Sequence, residues 1–301
     1  MIKQVLRRLY ADLVKRRTSV RVQVPSEEIS CHNPIFVIGM FRSGTTLVRY
    51  LLDSHSEIAC PPESRFMIYL KPWLHDDRCS GGFAALGYDK DHVRSRIRNT
   101  ISYFMENYAA SKGKQRWADK TPEYIDCVSF LHELYPDAKF ILLFRNPVDQ
   151  IYSNVHSGLG ASDRLAEFMS YGSSPIEAGA DYWNGKAQRI LDFETKNPQS
   201  CFRLRYEDLC DQPEQQLQSL FDFLGSCYES SVLEYYRFDH DYGAEDGKVS
   251  TTRKIRRSSS SLADWDTAEL AKVIAKTRPL ATKLGYDSIL QSYLEKIEVP
   301  S

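Results

Sequence analysis

The chain has 301 residues, of which 42% are hydrophobic and 26% are charged, so it is globular and long enough for one large domain or two small ones. Its net charge of −1 argues against a nucleic-acid-binding protein, which usually carries a strong basic excess. Seven scattered cysteines without a CxxC pair argue against a zinc site and a disulfide framework, and they favour a reducing compartment.

Residues 1–28 are predicted to form a basic helix and a polar linker ahead of a single domain over residues 29–301. Leu6, Leu9 and Leu13 recur at helical spacing among basic residues. Such a helix packs on the domain or lies peripherally on an anionic membrane surface, and the sequence leaves both readings open. Because this segment lacks the apolar core of a signal peptide and no stretch approaches the ~20 apolar residues of a membrane span, we expect a cytoplasmic protein.

Short apolar runs alternate with helical patterns along the rest of the chain. Pro34–Ile38, Lys139–Phe144 and Phe202–Tyr206 are predicted as strands, the first two as buried ones. A helix is predicted after each strand, the last over Pro213–Leu224. This alternation predicts an α/β fold with a parallel central sheet and helices on both faces.

Two regions fit this alternation less well, residues 66–117 and residues 156–197. Both lie between core elements, where acceptor-binding walls or lids are common. Their aromatic side chains line such a cleft or belong to the core, and the sequence does not decide between the two. The aromatic residues in question are Phe66, Tyr69, Trp73, Tyr103, Phe104 and Trp183.

The loop after the first strand has the form of a phosphate-binding loop. Gly39 and Gly44 bracket four residues, which lets backbone N–H groups approach an anion at the start of the next helix. The spacing matches the Walker A pattern except that Thr45 stands in place of the lysine. Arg42 lies inside the loop, and a guanidinium binds phosphate or sulfate in a bidentate manner. The loop therefore suits an anion other than a conventional nucleoside triphosphate.

A second anion-binding half-site is predicted after the second strand. Arg145 follows that strand, and Pro147 is suited to the first turn of the next helix. Ser153 lies two turns into this helix, so the arginine and the hydroxyl can face one oxyanion. Ligands of open α/β sheets bind at this carboxyl edge.

Together these segments resemble the sulfotransferase family that uses 3′-phosphoadenosine-5′-phosphosulfate (PAPS), nearest to the branch of the tyrosylprotein sulfotransferases and many bacterial enzymes. Phe41–Leu47 resembles the family's 5′-phosphosulfate loop, and Arg145 with Ser153 resembles its 3′-phosphate site. The resemblance implies a P-loop NTPase-like fold and a sulfuryl transfer from PAPS that leaves 3′,5′-adenosine bisphosphate (PAP). It also implies no required metal, since the donor has no triphosphate.

The resemblance assigns roles to the two loops residue by residue. The 5′-phosphosulfate would be held by Arg42, Ser43, Gly44, Thr45 and Thr46. The 3′-phosphate would be held by Arg145 and Ser153, and Tyr206 would lie against the adenosine. A late basic loop within Lys248–Arg257 would fold over the 3′-phosphate side.

Sulfuryl transfer to a hydroxyl also needs a base and a cation near the bridging oxygen. Glu63 is the predicted base, because Glu63-Ser64-Arg65 is similar to the glutamate–hydroxyl–arginine segment of the tyrosylprotein branch, and a carboxylate withdrawn from water is a stronger base. Arg65 would orient that carboxylate or bind the acceptor. Lys120, before a proline-containing turn, is predicted to stabilise the leaving oxygen. His55, at the end of the first helix, ranks behind Glu63 as a base.

Two other functions compete with sulfuryl transfer. A nucleotide or small-molecule kinase on a P-loop fold would need the lysine that Thr45 replaces. A non-catalytic nucleotide-binding module would need neither Glu63 nor Lys120. The acceptor is expected to be a small-molecule, glycan or peptide hydroxyl, and the sequence predicts no oligomeric state.

Overall fold

A computed structural model describes residues 33–156, 161–170, 173–243, 247–258 and 264–298. The predicted N-terminal helix and linker lie outside these residues. The strands are β1 Ile35–Gly39, β2 Ile58–Ala59, β3 Arg116–Lys120, β4 Lys139–Phe144 and β5 Cys201–Arg205.

The described helices surround these strands in chain order. They are α1 Thr45–Asp53, α2 Lys71–His75, α3 Asp77–Ala85, α4 Lys90–Ser111, α5 Val128–Leu134, α6 Pro147–Val155, α7 Ala161–Leu165, α8 Pro175–Lys196, α9 Tyr206–Asp211, α10 Pro213–Leu224, α11 Thr267–Lys283 and α12 Asp287–Glu298. Short 3₁₀ segments connect them at Phe66–Leu70, Pro122–Asp126, Ala166–Phe168, Pro198–Ser200, Ser230–Arg237 and Val249–Thr251. None of the helices within the described ranges is long and apolar enough to cross a membrane.

The five strands form one sheet in the order β2-β3-β1-β4-β5, and every neighbouring pair is parallel. β1 lies at the centre, with Val37 beside Lys120 of β3 and Gly39 beside Leu143 of β4. Because all strands run in the same direction, their carboxyl ends lie along one edge of the sheet. The segments that leave this edge are the ones in which the sequence predicted binding residues.

Apolar side chains cover both faces of the sheet, as the fold prediction requires. Phe36 and Ile38 of β1 pack in one core cluster with Val148 of α6, whereas Ile35 and Val37 pack in another with side chains of α1 and α10. This division follows the alternation of side chains along a strand. The predicted α/β architecture with helices on both faces is confirmed.

Three predicted strands are present, with small differences at their ends. β4 has the predicted bounds, and β1 is shifted by one residue. β5 ends at Arg205, so Tyr206 begins α9 instead of closing the strand. The sequence did not predict β2 or β3, because β2 has two residues and β3 reads Arg-Trp-Ala-Asp-Lys, which has neither an apolar run nor a regular alternation.

Candidate active site

Each strand of the sheet delivers a predicted site residue to the same edge. In spatial order these are Glu63 beyond β2, Lys120 at the end of β3, the loop that begins at Gly39 of β1, Arg145 after β4 and Tyr206 after β5. Neighbouring strands are ~4.8 Å apart, so the five positions form one row. The row begins with the predicted catalytic pair and ends with the predicted nucleotide contacts.

The loop between β1 and α1 is a tight turn that only glycine fits at two positions. Gly44 has φ +100° and is the N-cap of α1, and a Cβ there would lie 2.5 Å from the ring of Tyr206. A Cβ on Gly39 would lie 2.8 Å from Thr45 Cγ2. Ser43 is fully buried, and its hydroxyl donates to the carbonyl of Met40 at 2.7 Å. The first N–H groups of a helix lack acceptors within it, and the start of α1, at Gly44, Thr45 and Thr46, lines a cavity, so the positive helix end lies at that cavity.

Arg42 connects the loop to the second half-site. Its backbone is left-handed, with φ +67°, and its Nε donates to Ser153 Oγ of α6 at 3.0 Å. Arg145 Nη1 donates to the carbonyl of Arg42 at 2.8 Å. α6 begins at Pro147, as the sequence predicted, and this start places Ser153 beside the loop. Arg42 is more than 100 residues from both Arg145 and Ser153 in sequence, and the three side chains nevertheless meet at one place.

Tyr206 closes the same place from β5. The Arg145 guanidinium lies 4.8 Å from the centre of its ring, and its hydroxyl donates to the carbonyl of Arg256 at 3.2 Å. The same hydroxyl accepts from the N–H of Ser258 at 3.2 Å. Burial raises the pKa of Tyr206 to about 12, so the hydroxyl stays protonated at neutral pH. Tyr206 thus joins the phosphate loop to the late basic segment.

These residues line one cavity of about 280 Å³. Arg42, Gly44, Thr45, Thr46, Arg145, Ser153 and Tyr206 form one part of its lining. The predicted late basic loop forms another part, through Lys248, Lys254, Arg256 and Arg257. Leu47, Tyr235, Val249 and Ile255 add apolar surface. All the predicted cofactor-binding residues except Ser43 therefore face a single cavity with both cationic and apolar walls.

Arg145, which lines this cavity, has one buried polar atom without a protein partner among the described residues. Arg145 Nε is buried and makes no hydrogen bond within the described residues. A buried donor without an acceptor is costly, and an anion in the cavity would supply one.

The predicted catalytic residues contact one another at the other end of the row. Lys120 is fully buried, and its Nζ donates to Glu63 Oε1 at 2.7 Å. Arg65 Nη2 donates to Glu63 Oε2 at 2.5 Å, and Arg65 Nε lies 3.6 Å from Glu123 Oε1. The Glu63 side chain is 6% exposed, and that of Arg65 is 43% exposed. The carboxylate is thus held between a buried cation and one that reaches solvent.

A cluster that the sequence did not predict lies directly against this pair. Asp119 is fully buried and accepts hydrogen bonds from the hydroxyls of Ser64, Thr121 and Tyr124. Burial raises the pKa of Asp119 to about 6, an effect that the three hydrogen bonds oppose. The only signal in the sequence was an acidic residue before Lys120 within an otherwise unrecognised strand.

His55 has a structural environment. It is 1% exposed and stacks on Phe221 with ring centres 4.8 Å apart. Its Nε2 lies 2.8 Å from the carbonyl of Cys227, and its Nδ1 accepts from the N–H of Glu57. Both ring nitrogens are therefore occupied by backbone groups, which agrees with its low rank as a base.

The aromatic residues proposed for an acceptor cleft divide into two groups. Trp183 is buried core, and its Nε1 donates to the carbonyl of Arg145. Phe66 follows Arg65 and packs edge-on against Phe104, which is 55% exposed and contacts Tyr103. Phe66 is half-buried and packs against the core. The exposed group on the segments that follow the Glu63–Arg65 turn consists of Tyr69, Trp73, Tyr103 and Phe104.

Within the described residues, no group of three histidine, cysteine, aspartate or glutamate side chains is arranged to hold a metal ion. Independence from metal stays a prediction.

A model described as the sulfotransferase family matches residues 34–230 of this chain. The match spans more than half of the sequence and contains the phosphate loop, the Glu63–Arg65 turn, β3 and the second half-site. The chain belongs to the sulfotransferase family and is accordingly an enzyme that transfers sulfuryl groups.

Two relatives with different names illustrate the range of the similarity. Protein-tyrosine sulfotransferase A of Caenorhabditis elegans is 25% identical over 272 residues, which cover 84% of this chain and 67% of the relative. Nodulation protein NoeE of Sinorhizobium fredii is 32% identical over 212 residues, which cover 63% of this chain and 49% of that protein.

Solved structures share the fold. The sulfotransferase domain from the curacin biosynthetic pathway superposes with a TM-score of 0.59 at 22% identity, over 86% of this chain and 99% of the domain. Mouse sulfotransferase SULT7A1, solved with PAP, superposes with a TM-score of 0.52 at 13% identity, over 92% of this chain and 95% of the mouse protein. At these identities the similarity shows the fold alone.

Proposed function

We propose that this enzyme moves the sulfuryl group of PAPS to a hydroxyl of its acceptor, with Glu63 as the general base. The observation that carries the proposal is the row of residues along the carboxyl edge of the sheet. It runs from a carboxylate–lysine pair, through a phosphate loop, to an arginine and a tyrosine at a cavity. Sulfuryl transfer needs these three parts in this order: base, sulfate site and nucleotide site.

The residues present fit a nucleotide with two anionic ends. The Gly44 turn and the start of α1 suit the 5′-phosphosulfate. Arg145, with its unpartnered Nε, and Ser153 suit the 3′-phosphate, and Tyr206 with the apolar wall suits the adenosine. A neutral chain that gathers four basic side chains of residues 248–257 around one cavity favours an anionic ligand there.

PAPS supplies a sulfuryl group already activated by its anhydride link to phosphate. The chain's own part is to hold the donor in line, take the proton of the acceptor and balance charge on the bridging oxygen. Glu63 Oε1 is the proton acceptor in this proposal. Lys120 Nζ lies 2.7 Å from that oxygen, and it would donate to the bridging oxygen when the acceptor hydroxyl takes over its contact with the carboxylate.

Arg65 and the exposed aromatic residues support an acceptor that approaches from the solvent side of Glu63. Arg65 binds the carboxylate with one nitrogen and remains 43% exposed. Since relatives include protein-tyrosine sulfotransferases as well as a nodulation protein, we propose a small-molecule, glycan or peptide hydroxyl as the acceptor.

The first experiment is calorimetric titration of the purified protein with PAP and with ATP, both in EDTA. Metal-free PAP binding with little ATP binding is the expected result. Magnesium-dependent ATP binding, or no PAP binding, would overturn the proposal in favour of the kinase or another nucleotide-binding function. Transfer of ³⁵S from labelled PAPS to a panel of phenols, tyrosine peptides and glycans then identifies the acceptor class.

A further inference from the structure

Asp119 is a buried carboxylate that the proposed chemistry does not use. It immediately precedes Lys120 in β3, and successive strand residues point to opposite faces of a sheet. The two side chains therefore diverge. Lys120 donates to the Glu63 carboxylate, while Asp119 accepts from the hydroxyl of Ser64, the residue that follows Glu63.

Hydroxyl groups surround this carboxylate. Asp119 Oδ2 accepts from the hydroxyl of Ser64 and from that of Tyr124, the latter at 2.9 Å. The Ser64 and Tyr124 oxygens are themselves 2.9 Å apart, so the three groups form a closed triangle. Thr121 Oγ1 donates to the other oxygen, Oδ1, at 3.3 Å. In the described part of the chain, all three hydrogen-bond donors to Asp119 are neutral.

The segment that this triangle holds is a strained turn. Arg65 has φ +56°, a left-handed conformation that a residue with a side chain adopts at a cost of ~1–2 kcal/mol. The N–H of Phe66 donates to the carbonyl of Ser64 at 2.6 Å, which tightens the turn further. Ser64 is the central residue between Glu63 and Arg65. A contact that fixes its side chain therefore fixes the direction of both neighbours.

We propose that Asp119 is a positioning residue, which holds Ser64 and Tyr124 so that the Glu63–Arg65 turn keeps the Glu63 carboxylate against Lys120 and the acceptor. The inference rests on the proposed function of Glu63 as the base. The triangle does not touch the nucleotide cavity, whose lining residues come from other segments. Asp119 therefore affects turnover without affecting donor binding.

The test compares Asp119→Asn, Ser64→Ala and the double variant Asp119→Asn/Ser64→Ala, using PAPS and the best acceptor of the panel. Misplacement of a reacting group by about 1 Å costs up to ~100-fold in rate, so we expect kcat to fall by about 10- to 100-fold in each single variant. The KM for PAPS and the affinity for PAP should stay within about twofold of wild type, because Asp119 and Ser64 do not line the nucleotide cavity. Since both changes act on the same contact, the hydrogen bond between Ser64 and Asp119, the double variant should be no slower than the slower single variant.

Thr121→Val is the matched control, because Thr121 binds the same carboxylate but lies outside the turn. We expect it to keep wild-type kcat. A wild-type kcat in Asp119→Asn, multiplicative losses in the double variant, or an equal loss of PAP affinity would each overturn the inference. If Asp119→Asn does not fold, Ser64→Ala alone decides, since wild-type turnover in that variant contradicts the proposal.

Glu63→Gln separates this inference from the function on which it rests. If Glu63→Gln is inactive while Asp119→Asn is fully active, only the positioning role fails. If Glu63→Gln keeps full turnover, the base assignment fails and the positioning role fails with it.

Discussion

Glu63 is held by cations on both carboxylate oxygens, Lys120 on one and Arg65 on the other. From the sequence we expect a carboxylate activated by withdrawal from water, and the side chain is only 6% exposed. Its surroundings are nevertheless charged. An acceptor hydroxyl must therefore displace one of these contacts. In the proposed reaction it displaces Lys120, which then donates to the bridging oxygen.

Glu63→Gln is expected to lower kcat by about 10²- to 10⁴-fold, because the amide keeps the shape of the side chain but cannot take a proton. PAP affinity measured by calorimetry should be unchanged, since Glu63 follows β2 at one end of the row, whereas Arg145 and Tyr206 follow β4 and β5 at the other side of the phosphate loop. Glu63→Ala and Lys120→Ala should likewise remove turnover and leave nucleotide binding largely intact. Turnover that survives the Glu63 changes would show that another group is the base, and turnover that survives Lys120→Ala would remove Lys120 from the reaction.

Asp119 makes the stability of the fold depend on pH. Its pKa is raised to about 6 in the folded chain from an ordinary value of 3.8, chiefly by burial. The folded state therefore holds this proton more tightly than the unfolded state does. The proton on Asp119 therefore stabilises the folded state below pH ~4. This contribution to the free energy of unfolding, at most about 3 kcal/mol, is lost as the pH rises through ~6.

Asp119→Asn removes this titration, so we expect the variant to gain stability relative to wild type between pH 4 and pH 7. Urea unfolding of both proteins at several pH values measures the difference. A constant difference across this range would contradict the raised pKa. If Asp119→Asn is more stable than wild type but slower, this also agrees with the positioning role, because the wild type then retains the Asp119 carboxylate for turnover at the expense of stability.

At the scale of single elements, the β1–α1 loop depends on backbone geometry as much as on charge. Gly44 combines a left-handed φ with close contact to the Tyr206 ring, and that ring packs under Arg145. Gly225, which ends α10, has a similar φ of +72° but no heavy atom within 4 Å of an added Cβ. Alanine variants at the two positions therefore distinguish the cost of backbone strain, which both share, from the cost of displacing the Tyr206 ring, which only Gly44→Ala has.

Gly44→Ala is expected to destabilise the protein by about 2–4 kcal/mol, from backbone strain plus overpacking, and to weaken PAP binding by at least about 10-fold. Gly225→Ala should cost about 1–2 kcal/mol from strain alone and leave PAP binding unchanged. Thermal unfolding and calorimetry measure both effects. Equal PAP affinities in the two variants would mean that the Tyr206 ring does not need its present position.

At the scale of the whole molecule, parallel strands bring segments that are far apart in sequence to one edge. Arg42 and Ser153 are separated by 111 residues and share a hydrogen bond. Lys120 and Glu63 are separated by 57 residues and form an ion pair. A ligand that binds the row contacts connections from several strands and should stabilise the fold as a unit.

PAP at 100 times its dissociation constant is expected to stabilise the wild type by about 2.7 kcal/mol, or roughly 4 °C in Tm for a chain of this size. Arg145→Ala should weaken PAP binding by about 10- to 100-fold, because it removes a charge-assisted contact, and should reduce the Tm shift strongly. Arg203→Ala is the control, since Arg203 pairs with Glu194 on the surface. An undiminished shift in Arg145→Ala would exclude Arg145 from the nucleotide site.

The local sequence determined the elements whose signals are local. Lys139–Phe144 is an uninterrupted apolar run, and it is a buried strand with those bounds. Pro147 starts a helix and Gly225 ends one, because each residue suits the backbone at that position. The spacing of Gly39 and Gly44 predicted the tight turn at the start of α1 for the same reason.

Only the tertiary structure decided which of these segments meet. Hydrophobic periodicity did not reveal β3, since its burial depends on neighbouring strands and not on its own composition. Without β3, the sequence did not show that Lys120 is buried against Glu63, or that Asp119 lies beneath Ser64. Contacts between residues this far apart arise from strand order and register, which a single sequence does not encode in any local pattern.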